Sequence, residues 1–116
     1  MVCPNIVELV TTVSTAEEAE TLARNAVEQR LAACVQVDGP ILSVYRWRGS
    51  VETASEHRLS LKTTADKQEM LVAWLIASHP YEQPELLVRQ VEACRSYAEW
   101  VAQETCDGPT SSSTST

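Results

Sequence analysis

LAACVQVDGPILSVYRWRGSVETASEHRLSLKTT, residues 31–64, decides the fold. Near its end Leu59, Leu61 and Thr63 alternate with Arg58, Ser60 and Lys62, the two-residue period of a strand with one buried face. Upstream, LAACVQV (31–37) and ILSVYRWRG (41–49) are rich in β-branched and aromatic residues and carry extended character. Asp38-Gly39-Pro40 marks a turn or bulge between them, and Arg48-Gly49-Ser50 supplies a tight reversal. The segment reads as one long, bent β-hairpin.

Both flanks fit around that hairpin. NIVELVTTV (5–13) is β-rich with apolar residues on both faces, so it is a strand covered fully on one side and partly on the other. Ser14-Thr15-Ala16-Glu17 has capping-box spacing with Ser14 as the cap, and Ala19, Leu22, Ala23, Ala26, Val27 and Leu31 then recur at three and four. A second helix starts near Thr64, with Met70, Leu71, Trp74 and Leu75 as its apolar stripe, and ends at Ser78 or His79 because Pro80 excludes helical geometry before it. PELLVRQV (84–91) reads as the fourth strand and RSYAEWVAQE (95–104) as a closing helix with Tyr97, Trp100 and Val101 inward. The order is βαββαβ plus one helix: an α+β, ferredoxin-like domain over residues 1–104 with an antiparallel sheet and its helices on one face. Residues 105–116, TCDGPTSSSTST, form a polar tail too poor in apolar residues to pack. The uncovered sheet face carries Tyr45 and Trp47, and an open apolar face of that extent predicts self-association.

Composition narrows the function. At 116 residues, 44% hydrophobic and 22% charged, the chain is one globular domain. A net charge of −7 with nine basic residues scattered along it excludes a nucleic-acid binder, which needs clustered Lys and Arg. No apolar run approaches the roughly 20 residues of a membrane span, and MVCPNIVELV lacks the succession of a secretory signal, so the cytoplasm is expected. The four cysteines at 3, 34, 94 and 106 form no C-x-x-C pair, and reduced thiols follow. No catalytic triad, nucleophile elbow or phosphate loop is legible, so the chain is not expected to be an enzyme.

HPYEQPE (79–85) gathers the chemistry that is present. In geometric terms Pro80 ends a helix, Pro84 opens a strand and the Tyr81 ring plugs the corner with its hydroxyl in water. In chemical terms His79 is a nitrogen ligand with Glu82 and Glu85 beside it, a set that copper or zinc accepts. Cys34 sits in apolar LAACV, where a thiol packs as a small hydrophobe yet suits a soft ion such as Cu(I). Cys94 opens the last helix, a position that lowers a thiol pKa. His57 reads as a solvated or interface residue. Glu52 and Glu56 read as hairpin charges that block edge pairing or form interface ion pairs.

LAACV (31–35), YRWRG (45–49), E-x-x-L-x-L-K-T (56–63), HPYEQPE (79–85) and Y-x-x-W (97–100), in that order and spacing, resemble the CutA family of divalent-cation tolerance proteins. The resemblance implies a ferredoxin-like homotrimer whose long hairpins wrap their neighbours, with Tyr45, Trp47 and Glu52 at the trimer interface. It also implies copper or another divalent metal as ligand, with Cys34 and His79, and Glu82 beside them, as the metal-binding residues. Some bacterial members carry a further thiol where this chain has Leu9-Val10-Thr11-Thr12. The alternative is a signalling trimer resembling nitrogen-regulatory proteins, holding a small anionic or aromatic ligand in a cleft near Trp47, Lys62, Tyr81 and Glu82. A non-catalytic scaffold or anchoring protein, a role associated with animal relatives, is the third reading.

Overall fold

The computed structural model describes residues 3–106. The elements run β1 (Asn5–Val13), α1 (Ala16–Glu28), β2 (Cys34–Trp47), β3 (Ser50–Thr63), a 3₁₀ turn (Ala65–Lys67), α2 (Gln68–Ser78), β4 (Leu87–Glu92) and α3 (Arg95–Glu104). The four strands form one antiparallel sheet in the order β2-β3-β1-β4. That order is what βαββαβ connectivity yields when each helical crossover skips one strand, the ferredoxin-like arrangement.

Alternation along β1 separates two apolar layers. Val7, Leu9 and Val13 face one side, where they join Leu59 and Leu61 and meet Ala19, Leu22 and Ala26 of α1 and Leu71 and Leu75 of α2. Ile6 faces the other side and packs with Ala33 and Val101, flanked by Val91, Tyr97 and Ala98. The expectation that every helix lies on one face is therefore corrected: α3 covers one end of the opposite face. Its apolar stripe requires burial but does not name the surface that provides it.

Several local boundaries also differ. Thr15, not Ser14, caps α1, accepting from the Glu18 N–H at 3.0 Å, while the Ser14 hydroxyl donates to the Glu18 carboxylate. Leu31, Ala32 and Ala33 are buried, yet they belong to the exit from α1 rather than to a strand. Leu31 and Ala32 both donate to the Ala26 carbonyl, and Arg30 before them has φ 60°. β4 starts at Leu87, not Pro84. Met70 and Trp100 face outward, whereas Leu71, Leu75 and Val101 are buried as expected. Thr105, placed in the tail by composition, is buried and donates to the Val101 carbonyl; residues 107–116 of that tail lie outside the described residues.

The hairpin is the extended feature. β1 pairs with β3 only from His57 onward, so, among the described residues, 41–47 and 50–56 pair with each other alone. Seven residues at about 3.3 Å each carry the arm about 23 Å past the sheet. The radius of gyration is accordingly 15.7 Å, above the roughly 13 Å of a compact domain of this size. Arg48 and Gly49 both take positive φ, 51° and 86°, the signature of the two-residue turn that matches strand twist. A bulge between Asp38 and Ile41 adds one residue to β2 and exchanges which of its side chains face which side.

Candidate functional site

Pro80 holds His79 extended, at φ −73° and ψ 137°, and the chain then curls around the end of β1. The Tyr81 N–H donates to His79 Nδ1 at 3.1 Å, so that nitrogen carries no proton. The neutral ring bears its proton on Nε2, which lies 3.0 Å from both the Thr12 carbonyl and Thr11 Oγ1. Thr11 spends its own hydroxyl proton on the Glu85 carbonyl at 2.7 Å. Both imidazole nitrogens are thus committed: Nδ1 shapes the 79–85 loop and Nε2 ties it to β1. The imidazole also meets the Tyr81 ring edge-on, with centroids 4.9 Å apart.

Tyr81 carries the loop across to the hairpin, where its hydroxyl donates to Glu56 Oε2 at 2.8 Å; it is not left in water. Thr12 donates to the same oxygen at 3.3 Å. Glu56 is therefore a buried carboxylate at the centre of a network, which corrects its reading as an edge-blocking or interface charge. Burial raises its pKa, but hydrogen bonds from Ser43, Tyr81 and Thr12 outweigh burial and leave it below the ordinary range. The Tyr81 phenol is pushed up, first by burial and then by the Glu56 carboxylate. Burial lowers the pKa of His79 against the opposing pull of the Thr12 carbonyl, Glu18 and Glu56.

These directions fix a pH dependence. Below about 6.5 the unfolded chain takes up a proton at His79 that the folded chain resists, so stability falls as acid is added. Glu56 and Glu8, both lowered in the fold, add a second loss below about 4.5; Glu8 is held down first by the Ser60 hydroxyl and then by Arg89. Melting temperatures should fall from pH 7.5 to 5 in the native chain and fall less steeply in His79→Gln. Equal slopes in the two proteins would show that His79 is not the titrating group.

A cavity of about 770 Å³ opens beside this network. Ser43, Tyr45, Trp47, Ala54 and Glu56 line it from the hairpin, residues 81–85 from the loop, and Thr12 from β1. Ser43 pairs with Ala54 and Tyr45 with Glu52, so these side chains share a hairpin face. Of the residues expected at a cleft, Trp47, Tyr81 and Glu82 meet here. Lys62 does not: it pairs with Glu8 and Cys34 farther along the sheet, and its ammonium donates to Gln36. Nothing local in the sequence marks Thr11, Thr12 or Glu56 as part of a site. The paired threonines before the last residue of β1 are the available sign.

Cys34 and His79 are not brought together within the chain. Cys34 stands across β3 from Glu8, whereas His79 binds at Thr11 and Thr12, about 13 Å along β1 and about 10 Å across two strands. Cys34 instead neighbours the Tyr97 hydroxyl. Glu82 lies on the cavity wall, and Cys94 is exposed with its thiol pKa lowered first by Ser96. Among the described residues no group of three or more His, Cys, Asp or Glu side chains is placed to hold a metal ion. Cys3, Cys34, Cys94 and Cys106 form no disulfide with one another.

A family model described as CutA1 divalent ion tolerance protein matches residues 7–104. The chain belongs to the CutA family. A CutA divalent-cation tolerance protein of Thermus thermophilus is 39% identical over 95 residues, 81% of this chain and 92% of that one. Human CutA is 39% identical over 88 residues, 75% of this chain; the match spans only 49% of the human protein. Among solved structures, CutA of Synechococcus elongatus superposes with a TM-score of 0.85 at 40% identity, covering 90% of this chain and 94% of that one. The same cyanobacterial protein has also been solved in complex with a Bis-Tris molecule.

Proposed function

We propose that this CutA chain acts as a non-catalytic homotrimer in divalent-cation tolerance. The observation that carries the proposal is the hairpin arm, which projects beyond its own sheet with Leu42 74%, Val44 62% and Val51 65% exposed. Register puts Leu42 and Val44 opposite Ser55 and Thr53 on one face of the arm, and Tyr45 opposite Glu52 on the other. A two-stranded ribbon of that length is marginal in water on its own, and a second and third copy give it a surface to lie on. Sedimentation equilibrium at micromolar concentration tests this: the expected species is three chains, and a folded monomer overturns the proposal. Four cysteines with no disulfide among them favour the cytoplasm as its compartment.

Copper or a related divalent ion enters this proposal as cargo, with Cys34, His79 and Glu82 contributed across seams between protomers, because one chain keeps Cys34 and His79 apart. His79 can offer a lone pair only by releasing the Tyr81 N–H. The thiol therefore carries more of the affinity for a soft ion. Titration calorimetry with Cu(I) should show most uptake lost in Cys34→Ala and a smaller share in His79→Gln. Undiminished uptake by Cys34→Ala would remove the thiol as a ligand.

The cavity favours a second reading, a small-molecule site. Its volume lies within the range of about 300–1,000 Å³ typical of ligand sites, and the cyanobacterial relative has been solved with a small organic molecule. A trimer that binds neither ion nor small molecule would act as a scaffold alone.

A further inference from the structure

We infer that the cavity between the hairpin and the 81–85 loop selects an organic polycation, of the polyamine class, rather than an anionic effector. This rests on reading the cavity as a ligand site and adds its chemical class. Three carboxylates, Glu56, Glu82 and Glu85, line it, and among the described residues no Lys, Arg or His lines it. Lys62, the cation that an anionic ligand would need, sits on the sheet beside Cys34 and Gln36. A phosphate or carboxylate entering the cavity would meet like charge on its walls. The whole chain, at −7, reinforces that sign.

The same walls argue against a bare metal ion. A hard divalent cation needs several oxygens converging within about 2.0–2.6 Å, and the described carboxylates form no such cluster. Separated carboxylates in a roomy cavity suit a cation whose charge is spread along a chain. Tyr45, Trp47 and Tyr81 add aromatic walls, whose π-faces attract ammonium groups. Trp47 already accepts a cation from its own chain: the Arg48 guanidinium carbon lies 5.3 Å from its ring centroid. The Glu56 carboxylate in the cavity wall is held ionised by three hydroxyl donors, Ser43, Tyr81 and Thr12. Methylene stems of a polyamine would lie along Tyr45 and Tyr81 while its nitrogens reach the carboxylates.

Titration calorimetry on the full chain, in amine-free phosphate buffer with about 0.15 M sodium chloride to screen non-specific attraction beyond about 8 Å, compares three probes. Spermidine is the polycation, 1,8-octanediol its uncharged isostere and ATP the anion. Saturable spermidine binding is expected, with none for the diol or ATP. Trp47→Leu and, on the exposed loop, Glu82→Gln should each weaken spermidine about tenfold. Glu17→Gln, on the exposed outer face of α1, should leave it unchanged. Binding of ATP or the diol in place of spermidine overturns the charge class and leaves the cavity a ligand site. Binding of none of the three removes both readings. Spermidine uptake that Trp47→Leu and Glu82→Gln leave intact, or that Glu17→Gln weakens equally, places the polyamine on the general surface and overturns the inference.

Discussion

Replacing Leu42 and Val44 together by aspartate is expected to turn the proposed trimer into folded monomers. Both side chains stand on the hairpin face away from the Glu56 network and are largely exposed in one chain, so neither supports the fold of that chain. Burying each in a seam contributes about 1.5–3 kcal/mol, and burying a carboxylate there instead costs several kcal/mol more. A closed trimer repeats the loss at every seam, so the total far exceeds what a protein association at micromolar concentration can absorb. Light scattering coupled to size-exclusion chromatography should report one-chain mass. Far-UV circular dichroism should persist, because Leu9, Leu59, Leu61, Leu71 and Leu75 keep their packing. A double variant that remains trimeric would place the subunit contacts elsewhere, with β4 the next surface to test. β4 is an edge strand with Leu87 56% and Val88 42% exposed.

The hairpin, the strand order and the exit at His79 were legible because each rests on local chemistry. Alternation at 58–63, turn residues at 48–50 and Pro80 act over a few positions. Leu31–Ala33 misleads because a short apolar run looks the same entering a strand as leaving a helix. There Arg30 at positive φ, a conformation that its residue type does not advertise, decides the matter. The site was half legible for a related reason. His79 and Tyr81 announce themselves in HPYEQPE, but their partners Thr11, Thr12 and Glu56 lie 25 to 68 residues away and are recruited by topology. The side of α3 and the separation of Cys34 from His79 are likewise properties of the sheet. No single segment encodes them.

The bulge at Asp38–Ile41 connects those two levels, and Gly39 tests it. Gly39 has φ 151°, and a Cβ there would lie 2.8 Å from His57 Cδ2 and 3.0 Å from the Glu56 carbonyl oxygen and His57 Cα. Two of those three contacts are backbone, which cannot step aside as a flexible side-chain tip can. Gly39→Ala should therefore cost about 2–4 kcal/mol, strained backbone and overpacking together, and lower the melting temperature by about 10 °C or more. Gly49 at the hairpin tip separates the two causes. Its φ is 86°, yet a Cβ there meets nothing within 4 Å, so Gly49→Ala carries backbone strain alone, about 1 kcal/mol. Thermal melts of the two variants under one buffer measure the difference, and equal losses would rule out crowding against His57 as the cause. The larger effect at Gly39 should reach the cavity as well. The one-residue insertion sets which side of the arm carries Ser43, Tyr45 and Trp47, and displacing it moves that wall away from Tyr81.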